Sequence, residues 1–256
     1  MDADHSGDVE IRSLVPRREL TQGVEEWLID GLTAALPDLE MARLFSVRRD
    51  MFREADLVTV ATRTSDGSAV GALSSRWSVL PSGEPFLHVL TQFIGQRQQR
   101  TSTFPRSWGS HFAALQGSER GFPRLIVLKT YNPTVYCAMS AFTRVPGVTI
   151  YPQVPAPGGQ DASQRRLAMQ VARVVAGGHP FDPDSGIIRG IGVPPDLYPA
   201  LPSSSNKAVN DYFAKVTSPG DRMLCLLTVP TAAAANAILS TFGVLPAARK
   251  VAVRGC

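Results

Sequence analysis

The sequence predicts an α/β fold of the mixed α+β kind, a mixed sheet flanked by helices. Three observations predict it. Apolar residues at helical spacing in residues 20–36 are followed by alternating segments at 57–64 and 69–80 and a strand-like run at 86–94. The near-continuous apolar run Leu125-Ile126-Val127-Leu128 suits a central strand buried on both faces. Residues 85–142 read as strand, basic polar turn, helix, strand and an Asn-Pro step into another helix.

Residues 9–15 are short and alternating, a first strand. Val24, Trp27, Leu28, Leu32, Ala35 and Leu36 form the apolar stripe of a helix that Pro37 closes. Asp38 can cap a second helix with Met41, Leu44, Phe45, Val47 and Met51 on its apolar face. Asp66-Gly67 turns a hairpin between the next two strands, because this pair tolerates positive φ. Residues 81–84 turn again into the strand that carries His88. A helix spans Trp108 and Leu115, with Pro105 tolerable only in its first turn. After the strand at 125–130, Pro133 starts a helix.

The loop at 151–159, rich in Pro and Gly, divides the chain into a core at 1–150 and a C-terminal part at 151–256. That part reads as a helix at 161–176, a strand at 186–190, a helix at 206–216, a strand at 222–229 and an Ala-rich helix at 231–242. The proline-rich loop at 192–205 is a lid or, more commonly for such loops, a surface wrap.

The chain has 256 residues and a net charge of +4, with Lys and Arg mostly scattered. There is no zinc-finger spacing, aromatic RNA motif or dense basic helix, so no nucleic-acid partner is expected. The polar, acidic N-terminus is not a secretory signal, and no 18-residue apolar run spans a membrane. A cytoplasmic protein is expected. Cys137, Cys225 and Cys256 lack metal spacing and read as reduced thiols. The stretch His179–Asp184 holds a His and two carboxylates, but its prolines favour a turn, and no metal is expected. Gly186, Gly190 and Gly192 make a weak phosphate loop, with no capped helix following.

The turn after the His88 strand carries Arg97, Arg100 and Arg106, and no Asp or Glu lies between Glu84 and Glu119. A helix N-terminus and arginines at the end of a buried strand suit a pyrophosphate. His111, in the helix beyond, faces either the phosphate or solvent.

This order of elements resembles the GNAT superfamily of acyl-CoA-dependent N-acyltransferases, over roughly residues 9–142. The resemblance implies a splayed sheet that binds acetyl-CoA or another acyl-CoA between its fourth and fifth strands, with strands 186–190 and 222–229 completing the sheet. The family's glycine-containing turn is replaced, in one register by Gln98-Gln99-Arg100-Thr101-Ser102-Thr103 and in the other by Arg97-Gln98-Gln99-Arg100-Thr101-Ser102. Thr and Ser still offer amides and hydroxyls, but a Cβ limits how closely backbone approaches phosphate. Leu87-His88-Val89-Leu90 followed by Arg97-Gln98-Gln99 is similar to arylalkylamine N-acetyltransferases.

In that subfamily a His at the position of His88 takes part in deprotonating the amine; the other reading is a His on the polar face of a strand. An amine must lose its proton before attacking a thioester, and a His titrating near neutrality can accept it. Amides near Val89, Leu90 and Thr91 would stabilise the oxyanion. Arg97, Arg100 and the amides of Thr101, Ser102 and Thr103 would hold pyrophosphate, with Gln98 and Gln99 in the same turn. Thr130 and Asn132 would bond pantetheine. Tyr136, nearer to Asn132 than the family's acid, is either a displaced proton donor or a core aromatic. The acceptor would be a small-molecule amine, in biosynthesis of a specialised product, and the protein a monomer or homodimer. Two alternatives stand: an acyltransferase using a longer-chain or carrier-protein thioester, and a non-catalytic GNAT-like binding module.

Overall fold

The computed structural model describes residues 8–99, 101–156 and 158–244. β1 (Val9–Leu14) leads through the single turn α1 (Pro16–Glu19) to α2 (Gln22–Ala35). Thr21 caps α2 by accepting the Val24 amide. The single helix expected next is two pieces, α3 (Met41–Val47) and α4 (Asp50–Arg53). The break falls at Arg48, whose guanidinium turns to hold both Asp50 oxygens at 2.8 and 3.0 Å. Asp38 does not cap α3; its Oδ2 accepts from Gln96 Nε2 at 2.6 Å.

β2 (Leu57–Arg63) and β3 (Ala69–Val79) form the expected hairpin, with Gly67 at φ +69°. β4 (Pro85–Ile94) follows a second glycine turn, and after it come a 3₁₀ turn at Gln96–Gln98 and α5 (Thr103–Gln116). β5 (Leu125–Thr130) leads to Asn132, which caps α6 (Pro133–Ser140) by accepting the Thr134 amide at 2.9 Å.

The remaining elements are β6 (Thr149–Tyr151), α7 (Ala162–Val175), β7 (Phe181–Asp182), β8 (Ile187–Ile188), α8 (Lys207–Val216), β9 (Arg222–Thr228) and α9 (Ala232–Thr241). The strand expected at 186–190 contracts to the two residues of β8, hairpinned to β7. β6 was not foreseen. Three residues carry no periodicity of their own, and its pairing is set by β9.

The sheet runs β1-β2-β3-β4-β5-β9-β8-β7, and β6 pairs β9 beyond the end of β8. All neighbours are antiparallel except β4 and β5, which are parallel. Helices cover both faces. α2, α3 and α4 pack on one face of β2–β4, and α7 covers the same face of β5 and β9. α5, α6, α8 and α9 share the opposite face around Trp108, Phe112 and Phe213. Gly31 of α2 lies so close to β3 that a Cβ there would stand 2.6 Å from the Ala69 carbonyl oxygen.

Candidate active site

β4 and β5 pair over three residues only, Leu87↔Ile126, His88↔Val127 and Val89↔Leu128. Beyond Val89 they part, β4 staying with β3 and β5 with β9. The register of β3 and β4 slips at this point. Ser74 faces Thr91 and Ser75 faces Val89, so Leu90 is the extra residue of a bulge. A cavity of 330 Å³ fills the opening. It reaches side chains of both faces of the sheet: His88, Phe93, Lys129 and Tyr131 from the α3–α7 side, Gln92, Leu128 and Val135 from the α5–α6 side. The loop at 192–205 closes it through Gly192, Val193, Leu197 and Tyr198. That loop is docked on α3, with Asp196 paired to Arg43 at 2.5 Å and the Leu197 carbonyl accepting the Glu40 amide. It is a cover over the cavity, not the surface wrap favoured from sequence.

His88 is 2% exposed, and neither ring nitrogen has a hydrogen-bond partner. Burial, then the charges of Lys129, Arg76 and Arg48, hold it well below the usual histidine range, so the ring is neutral. Gln92 Nε2 is likewise buried without a partner. Arg48 is paired with Asp50, and Arg76 with Glu54. Lys129 donates to the Val175 carbonyl at 2.9 Å; burial first, then neighbouring cations, lower it to about 8. Arg222 lies over the Tyr131 ring, 5.6 Å from its centroid, and Tyr131 packs on Tyr198 at 5.9 Å.

Val89, Leu90, Thr91 and Thr130 line the cavity with His88. Thr130 Oγ1 accepts the Asn132 amide at 2.9 Å, and Asn132 Oδ1 is used on Thr134, so both side chains are engaged in starting α6. Tyr136 does not reach the cavity, against the proton-donor role read from sequence. Its hydroxyl donates to the Pro152 carbonyl at 2.7 Å, and it packs with Met139 in the core under α6. Burial raises its pKa further, so it is a core aromatic with a satisfied hydroxyl. His111 faces neither phosphate nor solvent. It is buried between Thr59 Oγ1 (2.9 Å) and Ser75 Oγ (2.8 Å).

Arg97 and Gln99 are exposed, Gln98, Thr101 and Ser102 half-buried and Thr103 buried, and none of them lines the cavity; Arg100 lies outside the described residues. The turn leaves β4 at Gly95, where a Cβ would meet the Val70 carbonyl oxygen at 2.9 Å. Thr101 Oγ1 donates to the Gln98 carbonyl at 2.7 Å and accepts the Thr103 amide at 3.2 Å. Pro105 has no N–H. The first turn of α5 therefore offers fewer open donors than an ordinary helix start. His179 Nδ1 lies 3.1 Å from the Arg189 carbonyl oxygen, and no group of metal-binding side chains occurs among the described residues. Cys225 is buried, Cys137 Sγ lies 3.5 Å from Ser204 Oγ, and Cys256 is outside the described residues.

Sequence reasoning missed Lys129, Arg222, Gln92 and Tyr198. Lys129 had a signal, a cation inside an apolar run assigned to a buried strand. Arg222, at the first position of a strand, had none.

No protein-family model matches the chain, and no curated protein matches it. Solved structures are similar over about half of it. One is a GNAT family acetyltransferase from Brucella melitensis in complex with acetyl-CoA, at 14% identity and TM-score 0.34, covering 47% of this chain and 74% of that one. Another is the GNAT family N-acetyltransferase YhbS from Escherichia coli in complex with CoA, at 17% and 0.35, covering 51% and 67%. A third is the catalytic domain of Tetrahymena GCN5 histone acetyltransferase in complex with coenzyme A, at 14% and 0.35, covering 53% and 74%. Within this chain the features on which the resemblance rests are its own strand order, the gap that opens between β4 and β5 beyond Val89, and the helix that starts after β4.

Proposed function

We propose that the protein is an acyltransferase that moves an acetyl or other short acyl group from CoA to the amine of a small molecule. The observation that carries this is His88: buried, neutral, with both ring nitrogens unpartnered, in the wall of the cavity where β4 and β5 part. A neutral imidazole without a protein partner has one nitrogen open to accept from a ligand and one N–H to donate, although its lowered pKa makes it a weaker base than the near-neutral histidine expected from sequence. The surrounding cations also disfavour a second positive charge, so an ammonium entering the cavity is pushed toward its neutral, nucleophilic form. The buried amide of Gln92 and the bulge at Leu90 suit the amide-bearing pantetheine arm. The bound group would supply an activated thioester carbonyl. Tyr198, whose phenol burial keeps protonated, is at the cavity wall and takes the proton-donor role read onto Tyr136.

The test is acetyl transfer from acetyl-CoA to a panel of amines, with His88→Ala as control. The variant is expected to keep the rise in melting temperature caused by acetyl-CoA while turnover drops by roughly 10²- to 10⁴-fold. A variant as active as the parent sinks the role of His88.

One observation favours a second reading. Thr101 occupies the Thr103 amide and Pro105 removes another donor, so the α5 N-terminus is a poorer pyrophosphate cradle than the resemblance implies. A donor that leans little on pyrophosphate, a longer-chain or carrier-protein thioester, would suit it. Comparable kcat/KM for acyl-pantetheine and acyl-CoA would favour that reading. Absence of any shift with either donor would favour a binding module.

A further inference from the structure

We infer that the acceptor amine also carries an anionic group, a carboxylate or a phosphate, held by Lys129 and Arg222; this rests on the acyltransferase reading. Four cations line the cavity, Arg48, Arg76, Lys129 and Arg222, against one carboxylate, Asp50. Asp50 takes Arg48 in a two-point pair, and Glu54 takes Arg76. Lys129 and Arg222 form no ion pair among the described residues. The polar partners found for them are backbone carbonyls, those of Val175 and Asp221. Both are half-buried, and a cation partly taken out of water without a counter-charge is costly; a ligand anion offsets part of that cost.

Three further features hold Arg222 in this state. The carboxylate beside it in sequence is committed elsewhere: Asp221 accepts from Arg189 at 2.7 Å, from the Gly190 amide at 2.9 Å and from the Ser218 amide at 3.0 Å. Tyr131 supports the guanidinium from beneath. Gly192 makes room for it, because any Cβ at that position would collide with the guanidinium carbon and nitrogens. A planar fork with room around it suits carboxylate or phosphate.

The pair also lies on the acceptor side of the opening. Cross-strand neighbours share a face, so His88, paired with Val127, shares its face with Lys129 two residues further along β5. That face is covered by α3, α4 and α7, and α5, whose N-terminus would meet the donor's phosphates, packs on the other.

The experiment measures binding and acetylation of four probes by the intact chain: L-phenylalanine, L-phenylalaninamide, O-phosphoethanolamine and ethanolamine. Binding is read by calorimetry, and turnover with acetyl-CoA as donor. The anionic member of at least one pair is expected to bind roughly 10- to 100-fold more tightly than its neutral partner, as for a hydrogen-bonded ion. The carboxylate and phosphate pairs say which anion is preferred.

Arg222→Gln and Lys129→Met should erase that preference and raise the acceptor KM while leaving the KM for acetyl-CoA unchanged. Gly192→Ala, which touches neither cation's charge, should do the same by displacing the guanidinium. Equal binding of both members of each pair by the parent protein overturns the inference, whether or not the variants fold. A KM change for acetyl-CoA alone also overturns it, because the cations would then serve the donor. Anionic binding without acetylation keeps the anion site and removes the acyltransferase reading; acetylation of the neutral amines without anion preference does the reverse.

Discussion

His88 and His111 lie on opposite faces of one sheet, both buried, and differ in what surrounds them. His111 bridges Thr59 and Ser75, and Thr59 continues to Ser13 at 2.8 Å, so the ring ties α5 to β1, β2 and β3. Both hydroxyls engage the neutral ring, and burial lowers its pKa to about 3. The consequence for stability has a definite sign. Below about pH 6.5 the unfolded chain protonates this histidine while the folded chain does not, so the unfolded state binds more protons and stability falls with falling pH. The same holds for His88. The aspartates with lowered values, Asp50 and Asp221 among them, lose their contribution only below about pH 4, where the unfolded carboxylate titrates. Urea unfolding should therefore show stability falling between pH 6.5 and 5, at up to about 1.4 kcal/mol per pH unit for each buried histidine. His111→Gln should be less stable at pH 7 by about 1–3 kcal/mol, through a buried hydrogen bond lost. It should also show a slope shallower by about one proton. An unchanged slope would mean that His111 is protonated in the fold. The position of His88 on a strand was legible from sequence because alternation placed it there; the burial of His111 was not, because a helical position after a basic turn reads equally as exposed.

At the scale of elements, what was legible depended on local signals. The Asp66-Gly67 hairpin, the Asn132-Pro133 helix start and the apolar run of β5 each announce themselves within a few residues, and each stands. The α3–α4 break did not, because Arg48 and Asp50 read as ordinary helix surface until the guanidinium folds back on its neighbour. The bulge at Leu90 was invisible for a related reason: one extra residue in an apolar strand leaves the composition unchanged, and only pairing with β3 exposes it. The packing of α2 gives a direct test at this scale. Its Gly31 permits the helix to lie on β3, where a Cβ would stand 2.6 Å from the Ala69 oxygen and 2.8 Å from Ala69 Cβ. Backbone cannot yield as a flexible side chain does, so Gly31→Ala should cost about 1–3 kcal/mol despite alanine's better helix propensity. A variant as stable as the parent in urea would show that α2 can shift away from the sheet without loss.

For the whole molecule, the sequence boundary at residue 150 separates segments that the sheet joins. β9 pairs β5 along the whole of β5, from Leu125↔Thr228 to Thr130↔Met223, and α7 covers Leu125 and Val127. The cavity is likewise composite: His88 and Lys129 come from before the boundary, Gly192, Tyr198 and Arg222 from after it. These pairings were the least legible part of the fold, since contacts between residues a hundred positions apart leave no periodic trace in either partner. Removing residues 151–256 would leave β5 as an edge strand with one ladder of backbone groups unpaired and Val127, now fully buried, exposed. We predict that the fragment 1–150 lacks a cooperative urea transition and that adding the fragment 151–256 in trans restores one. A cooperative transition in 1–150 alone would show that β1–β5 with α2–α6 fold independently. In that case the C-terminal part would be a cover added to a finished unit, and loss of acceptor binding without loss of donor binding should follow its removal.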